Sequence, residues 1–293
     1  MKSEIKDSCK ILSLVLLILL LHHSGFSQGT NISREEHRKI YLGLSLSPSQ
    51  SQILNDGIFS GSKLISDKMI SFSGSIDFGY FFSSYFGLST GAGFVAYKSQ
   101  LSLGSYQNMF TSTDSENESY ERRVLGTDIK ETQNVGVMRL PFILNLSIPI
   151  INKAGFFFQT GINMDIPLNK NYTSSGTFTY KGYYAVDNVL IENLPDYGFP
   201  SNVSTKTDGK LELKSLGFDA IATAGFDYFI NEKIQIAVSG SFNKSLSNIS
   251  GYSTPDKFQL SSEQNQINSL MGGSTKATIS SIGVRIALRY YLK

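Results

Sequence analysis

The chain has 293 residues, 41% of them hydrophobic, and a formal net charge of +2. A near-neutral balance with no basic stripe excludes nucleic acid as a partner held by charge. The single cysteine, Cys9, stands in the first thirty residues, and no later apolar run approaches the ~20 residues of a spanning helix, so disulfides and helical anchors do not organise the main part of the chain.

The first element is a leader. Lys2, Lys6 and Lys10 form a basic start that Glu4 and Asp7 dilute, and residues 11–21 are apolar apart from Ser13. Gly25, Phe26 and Ser27 then give a small-x-small cleavage pattern, with Gln28 as the first mature residue. An apolar block this short cannot cross a bilayer as a helix, so residues 1–27 are expected to be a signal peptide and 28–39 a short periplasmic segment.

From residue 40 to residue 293 the apolar residues recur at period two. Residues 40–47 open the series with Ile40, Leu42, Leu44 and Leu46 on one face. Ile70, Phe72, Ile76, Phe78 and Tyr80 follow, opposite Ser71, Ser73, Ser75 and Asp77. Similar runs occupy 86–97, 138–148, 156–165, 215–228, 234–242 and 281–290. Most reach the 9–11 residues a tilted membrane strand needs, beyond the mode of about 5–6 for soluble strands. Connections alternate in length: 82–85, 151–154 and 230–233 are tight, whereas 50–68, 99–133, 168–209 and 245–275 are long and polar. Short turns on one side and long loops on the other are the rhythm of an outer-membrane barrel. The pattern therefore predicts an all-β fold, an eight-stranded antiparallel up-and-down transmembrane β-barrel with periplasmic termini. Tyr80, Phe81, Tyr85, Phe86, Phe156, Tyr228, Phe229, Tyr290 and Tyr291 all fall near the tight-turn end, where an interfacial aromatic girdle is expected.

Three stretches resemble the Gram-negative outer-membrane β-barrel domain proteins called PorT-like. They are Arg139-Leu140-Pro141-Phe142-Ile143-Leu144, Phe157-Phe158-Gln159-Thr160-Gly161-Ile162, and Ser281-Ile282-Gly283-Val284-Arg285-Ile286-Ala287-Leu288. The last is similar to the terminal-strand signal read by the outer-membrane barrel assembly machinery, although this chain ends Tyr291-Leu292-Lys293 instead of on an aromatic residue. The resemblance implies an integral outer-membrane protein, with outer-membrane lipid and that machinery as partners and a role in surface binding or secretion. Pro141 inside a strand cannot donate a ladder bond, which predicts a bulge or a local lapse in pairing.

The inward set carries the charges. Arg139, Asp165 and Asp219 stand at similar distances from their tight turns on successive strands, and Arg285, Arg289, Asp77 and Asp227 lie nearer the periplasmic end. An eight-stranded barrel is filled by side chains, so these charges are expected to pair and plug the lumen instead of lining a path. Only His37 survives cleavage and no cysteine does, which removes Ser–His, thiolate and common zinc chemistries, so no catalytic residue, metal or cofactor is expected. The acidic run 113–118 lacks the spaced ligands of a calcium loop. The tyrosines of 168–209, namely Tyr172, Tyr180, Tyr183, Tyr184 and Tyr197, fit either a recognition surface or a hairpin with Asp208-Gly209 at its tip. The leading expectation is a non-enzymatic barrel acting through its loops on a surface ligand or a secretion component. A small passive pore and a membrane-embedded hydrolase using Asp165 or Asp219 are the competing readings.

Overall fold

The computed structural model describes residues 39–59, 62–151, 153–253 and 258–292. The expected signal peptide, the Ser27–Gln28 cleavage point and His37 lie outside them, as does the segment 28–39 except for its last residue.

Eight strands form the wall: β1 (Ile40–Asn55), β2 (Ile65–Phe81), β3 (Phe86–Thr113), β4 (Ser119–Ile151), β5 (Ala154–Tyr184), β6 (Gly217–Phe229), β7 (Ile234–Ser245) and β8 (Ala277–Leu292). Each pairs antiparallel with its chain neighbours, and β8 pairs with β1, so the ring closes. Two short strands, Val189–Glu192 and Val203–Lys210, pair with β5 beyond β6 and bring the sheet to ten strands. Two of the tight turns are fixed by side chains. Ser83 Oγ accepts from the backbone N–H groups of Tyr85 and Phe86, and Asn231 Oδ1 accepts from those of Lys233 and Ile234, at 2.8 Å each.

Three strands are far longer than a membrane requires: β3 has 28 residues, β4 has 33 and β5 has 31. Their chemistry changes along the way. Near the tight turns the outward residues are apolar and bare, such as Leu46 at 70% and Phe226 at 64% exposure, while Ser45, Asn145, Gln159 and Asp227 are buried inside. Exposed apolar area of this extent needs lipid against it. Beyond Ala96 on β3 and Gly136 on β4 the phase inverts. Lys98, Gln100, Asn134 and Thr132 then face outward, and Tyr97, Leu101, Leu103, Val135 and Ile129 are buried. The same pleat thus serves lipid below and water above, and the wall continues past the apolar band as a cup.

This corrects the expected long loops. Residues 99–133 are the outer halves of β3 and β4, joined by a short turn, and much of 50–68 and 168–209 is strand. Asp208 and Gly209 are not a hairpin tip but pair within the sheet with Thr173 and Tyr172. Only the described part of 245–275, residues 245–253 and 258–275, remains largely irregular. It folds into the cup, where Leu260, Ile267, Leu270 and Met271 are fully buried against Leu101, Leu103, Ile129 and Phe178. At Pro141 the register is unbroken, and paired partners are lacking between Thr90–Phe142 and Gly93–Arg139, so the ladder lapses without a bulge.

Candidate functional site

The interior is closed in layers. At the tight-turn end Tyr41, Phe229 and Tyr291 are buried together with Phe81 packed on them, ring centroids 5.4–6.1 Å apart. The Tyr41 ring occupies the space a Cβ at Gly79 would need, so glycine there lets the ring lie across the lumen. Above it, the Arg289 guanidinium sits over Tyr41 at 5.2 Å and Phe157 at 5.0 Å and donates to Gln235 Oε1 at 3.1 Å. Arg285 forms an ion pair with Asp77 and donates to Gln159 Oε1 at 3.4 Å. Asp227 is buried nearby, opposite Ala237 in the ladder.

Arg139, Asp165 and Asp219 converge next. Arg139 Nε donates to Asp165 Oδ1 at 2.7 Å, and its Nη2 donates to Asp165 Oδ2 at 2.5 Å, Asp219 Oδ2 at 2.8 Å and the Tyr97 hydroxyl at 2.6 Å. Ser245 Oγ donates to Asp219 Oδ1 at 2.9 Å. One guanidinium fork therefore clamps two carboxylates from β5 and β6, strands that are neighbours in the wall. Between the charge layers a polar cavity of about 60 Å³ remains, lined in part by Ser45, Ser75 and Asn163.

The cup has its own polar centre. Glu131 on β4 is buried and accepts from Gln133 Nε2 (2.7 Å), Ser174 Oγ (2.9 Å), Ser269 Oγ (3.0 Å) and the Leu270 backbone N–H (2.7 Å). Ser269 caps the short helical turn Leu270–Gly273, so this carboxylate ties the infolded loop to the wall. Burial pushes the Glu131 carboxyl above its ordinary value, against the pull of those donors. At the outer rim Arg122 lies over Tyr180 at 5.1 Å and Phe199 at 5.7 Å and donates to the Gly198 carbonyl at 3.1 Å. Tyr184 stacks on Tyr120 and donates to Asp114 Oδ2 at 3.0 Å; desolvation and that carboxylate push its phenol up to about 12. The backbone N–H of Glu118, together with that of Glu116, holds Asp114 below the usual carboxylate range. Asp114 thus shapes the turn of the acidic run, and no metal-holding cluster occurs among the described residues.

Strand alternation corrects the aromatic girdle. Tyr80, Tyr85, Phe86, Tyr228 and Tyr290 are exposed on the wall, and Phe156 is half-buried there, edge-on to Phe226. Phe81, Phe229 and Tyr291 each follow an outward neighbour and must point inward, where they plug the lumen. Tyr41 and Phe157 share this inner end. Their bulky rings on the polar side of the alternation were the sequence signal for them. Of the loop tyrosines, Tyr172 and Tyr180 are core, Tyr183 carries Arg123 at 4.6 Å, and Tyr197 is 77% exposed.

A family model described as "Outer membrane protein beta-barrel domain" matches residues 26–251. No curated protein matches the sequence. Among solved structures, the outer membrane protein OprG from Pseudomonas aeruginosa is similar at 14% identity and TM-score 0.37, covering 87% of this chain and 97% of that one. Neisserial surface protein A is similar at 9% identity and TM-score 0.37, covering 86% and 97%. Ail, the attachment invasion locus protein of Yersinia pestis, is similar at 11% identity and TM-score 0.26, covering 86% and 99%. Likeness this distant transfers no function.

Proposed function

Because the chain belongs to the outer membrane protein beta-barrel domain family, we propose that it is a PorT-like, non-enzymatic barrel that works by presenting its cup as a rigid binding platform outside the cell, for a surface ligand or a secretion component. The observation that carries this reading is the continuation of β3, β4 and β5 far past the apolar band into a cup with its own hydrophobic core. A barrel needs only 9–11 residues per strand to span the membrane. The added length serves whatever meets the outside.

The layered lumen supports binding over transport, since side chains cross it in successive layers and the cavity found between the charge layers is only about 60 Å³. It also supports a non-enzymatic role. Asp165 and Asp219 are both engaged by Arg139 and shut off from substrate by the aromatic plug below and the docked loop above. The rim offers Tyr197, Met109 and Leu190 as exposed contact groups, of the kind that give recognition area at low entropic cost.

A photo-crosslinking residue at position 197, in cells of the source organism, tests the platform. A discrete protein or glycan adduct from 197, not formed from the lipid-facing position 46, is the expected result. Adducts absent from 197, 109 and 190 alike, with the barrel folded and surface-exposed, would overturn the reading.

A further inference from the structure

The lipid-facing wall is not uniformly convex. Cross-strand pairing sets Ile286, Leu46, Gly74, Phe94 and Met138 side by side in one outward row across β8, β1, β2, β3 and β4. The adjoining row, one step nearer the tight turns, runs Leu288, Leu44, Ile76 and Ala92. Each row contains one small residue, Gly74 in the first and Ala92 in the second, on adjacent strands. The large neighbours stand up around them, and a cleft of about 860 Å³ opens there, reaching Leu168 on β5. Its lining is aliphatic and aromatic except for Ser45 and Ser75.

Two cations stand above this cleft. Lys98 follows Phe94 on β3 by four residues, a rise of about 13 Å, at the position where the outward face turns polar. Lys68 on β2 is exposed and lies opposite Ser99, the residue after Lys98, just above the register shift between Lys68 and Phe72 that lets its side chain leave the face of buried Ser99. Neither has an ion pair among the described residues. The neighbouring carboxylate, Asp67, is approached by the Ser102 hydroxyl at 3.5 Å. An apolar cleft inside the membrane with uncompensated ammonium groups at its water-side end has the polarity of an amphiphile carrying an anionic head.

We propose that this cleft is a specific site for an outer-leaflet lipid with a phosphorylated head group, one acyl chain lying over Gly74 and Ala92 and the phosphate between Lys68 and Lys98. General annular lipid would contact every outward strand equally. This site differs in combining a depression in the wall with two free cations on the same two strands.

Native mass spectrometry of the detergent-purified full chain, with added phosphatidate or phosphatidylcholine of identical acyl chains, tests it. The wild type should retain one phosphatidate in preference to phosphatidylcholine. Lys68→Ala and Lys98→Ala should each weaken retention about fivefold, as expected for one cation beside an anionic lipid head. Ala92→Phe, which fills the cleft from the lipid side, should abolish retention while the heat-shifted gel band shows a folded barrel. Equal retention of the two lipids would overturn the proposal. So would phosphatidate loss in the lysine variants with none in Ala92→Phe, which marks adsorption to charge alone, or retention unchanged in all three. Gly74→Leu, filling the same depression from the neighbouring strand, decides the matter should Ala92→Phe fail to fold.

Discussion

Glu131 shows how much one side chain can organise. Of its four donors, the Leu270 backbone N–H is fixed in place and the Gln133 amide still carries N–H groups to satisfy however it turns, whereas the Ser174 and Ser269 hydroxyls can rotate to other acceptors. Glu131→Ala should therefore leave two buried donors unpaired and destabilise the cup by about 2–3 kcal/mol, seen as a lower urea midpoint and faster proteolysis within 245–275. The pH dependence has a definite sign. Burial raises the folded-state pKa above 4.5, so the favourable contribution is complete below that value and is lost as pH rises through the higher folded value. The phenols facing the same pocket, Tyr172 and Tyr252, are pushed upward by burial and stay protonated across that window. Cup stability should thus fall from mildly acidic to neutral pH, and Glu131→Gln should flatten the profile. A wild-type midpoint that rises with pH over this range would contradict the assignment.

At the scale of the strand, what was legible in the sequence and what was not share one cause. Lipid demands apolar outward residues, so the membrane halves of all eight strands announce themselves by period-two alternation. Arg139, Asp165 and Asp219 could be placed inside because they fall on the polar phase at matched distances from the turns. Above Lys98 the demand reverses, and the inward set mixes Leu101, Leu103 and Ile129 with Glu131 and Gln133. Alternation sought in one phase meets the other and looks like polar loop. Glu131 was invisible for that reason, and so was the plug role of Phe81, Phe229 and Tyr291, since adjacent aromatics read as one girdle until alternation separates them. The inversion makes a contrast that can be measured. Leu270→Ala, deep in the cup, should cost about 2–5 kcal/mol. Met109→Ala, 65% exposed on the outer face of the same cup, should change stability by no more than ~0.5 kcal/mol. Pulse proteolysis of the two variants side by side reads the difference, and equal losses would mean that the inner face is not a core.

For the whole molecule, the consequence of layering is that the barriers act in series. Flux through a barrel is limited by its tightest section, so opening one layer leaves the others in control. The Tyr41–Phe81–Phe229–Tyr291 cluster, the Arg285 and Arg289 layer, the Arg139 clamp and the docked loop each cross the same narrow lumen. Eight strands give an interior that side chains can fill unaided, and here long cationic and aromatic groups do so where Gly43, Ser45 and Ser75 leave them room. In planar bilayers the wild type should show no steady openings. A variant with residues 249–275 replaced by a flexible linker should stay equally silent, because the Arg139 clamp and everything below it are untouched. Steady conductance from the wild type would refute the closed lumen. Conductance from the linker variant alone would show that the loop is the gate and that the lower layers are permeable, placing the molecule among regulated pores instead of binding platforms.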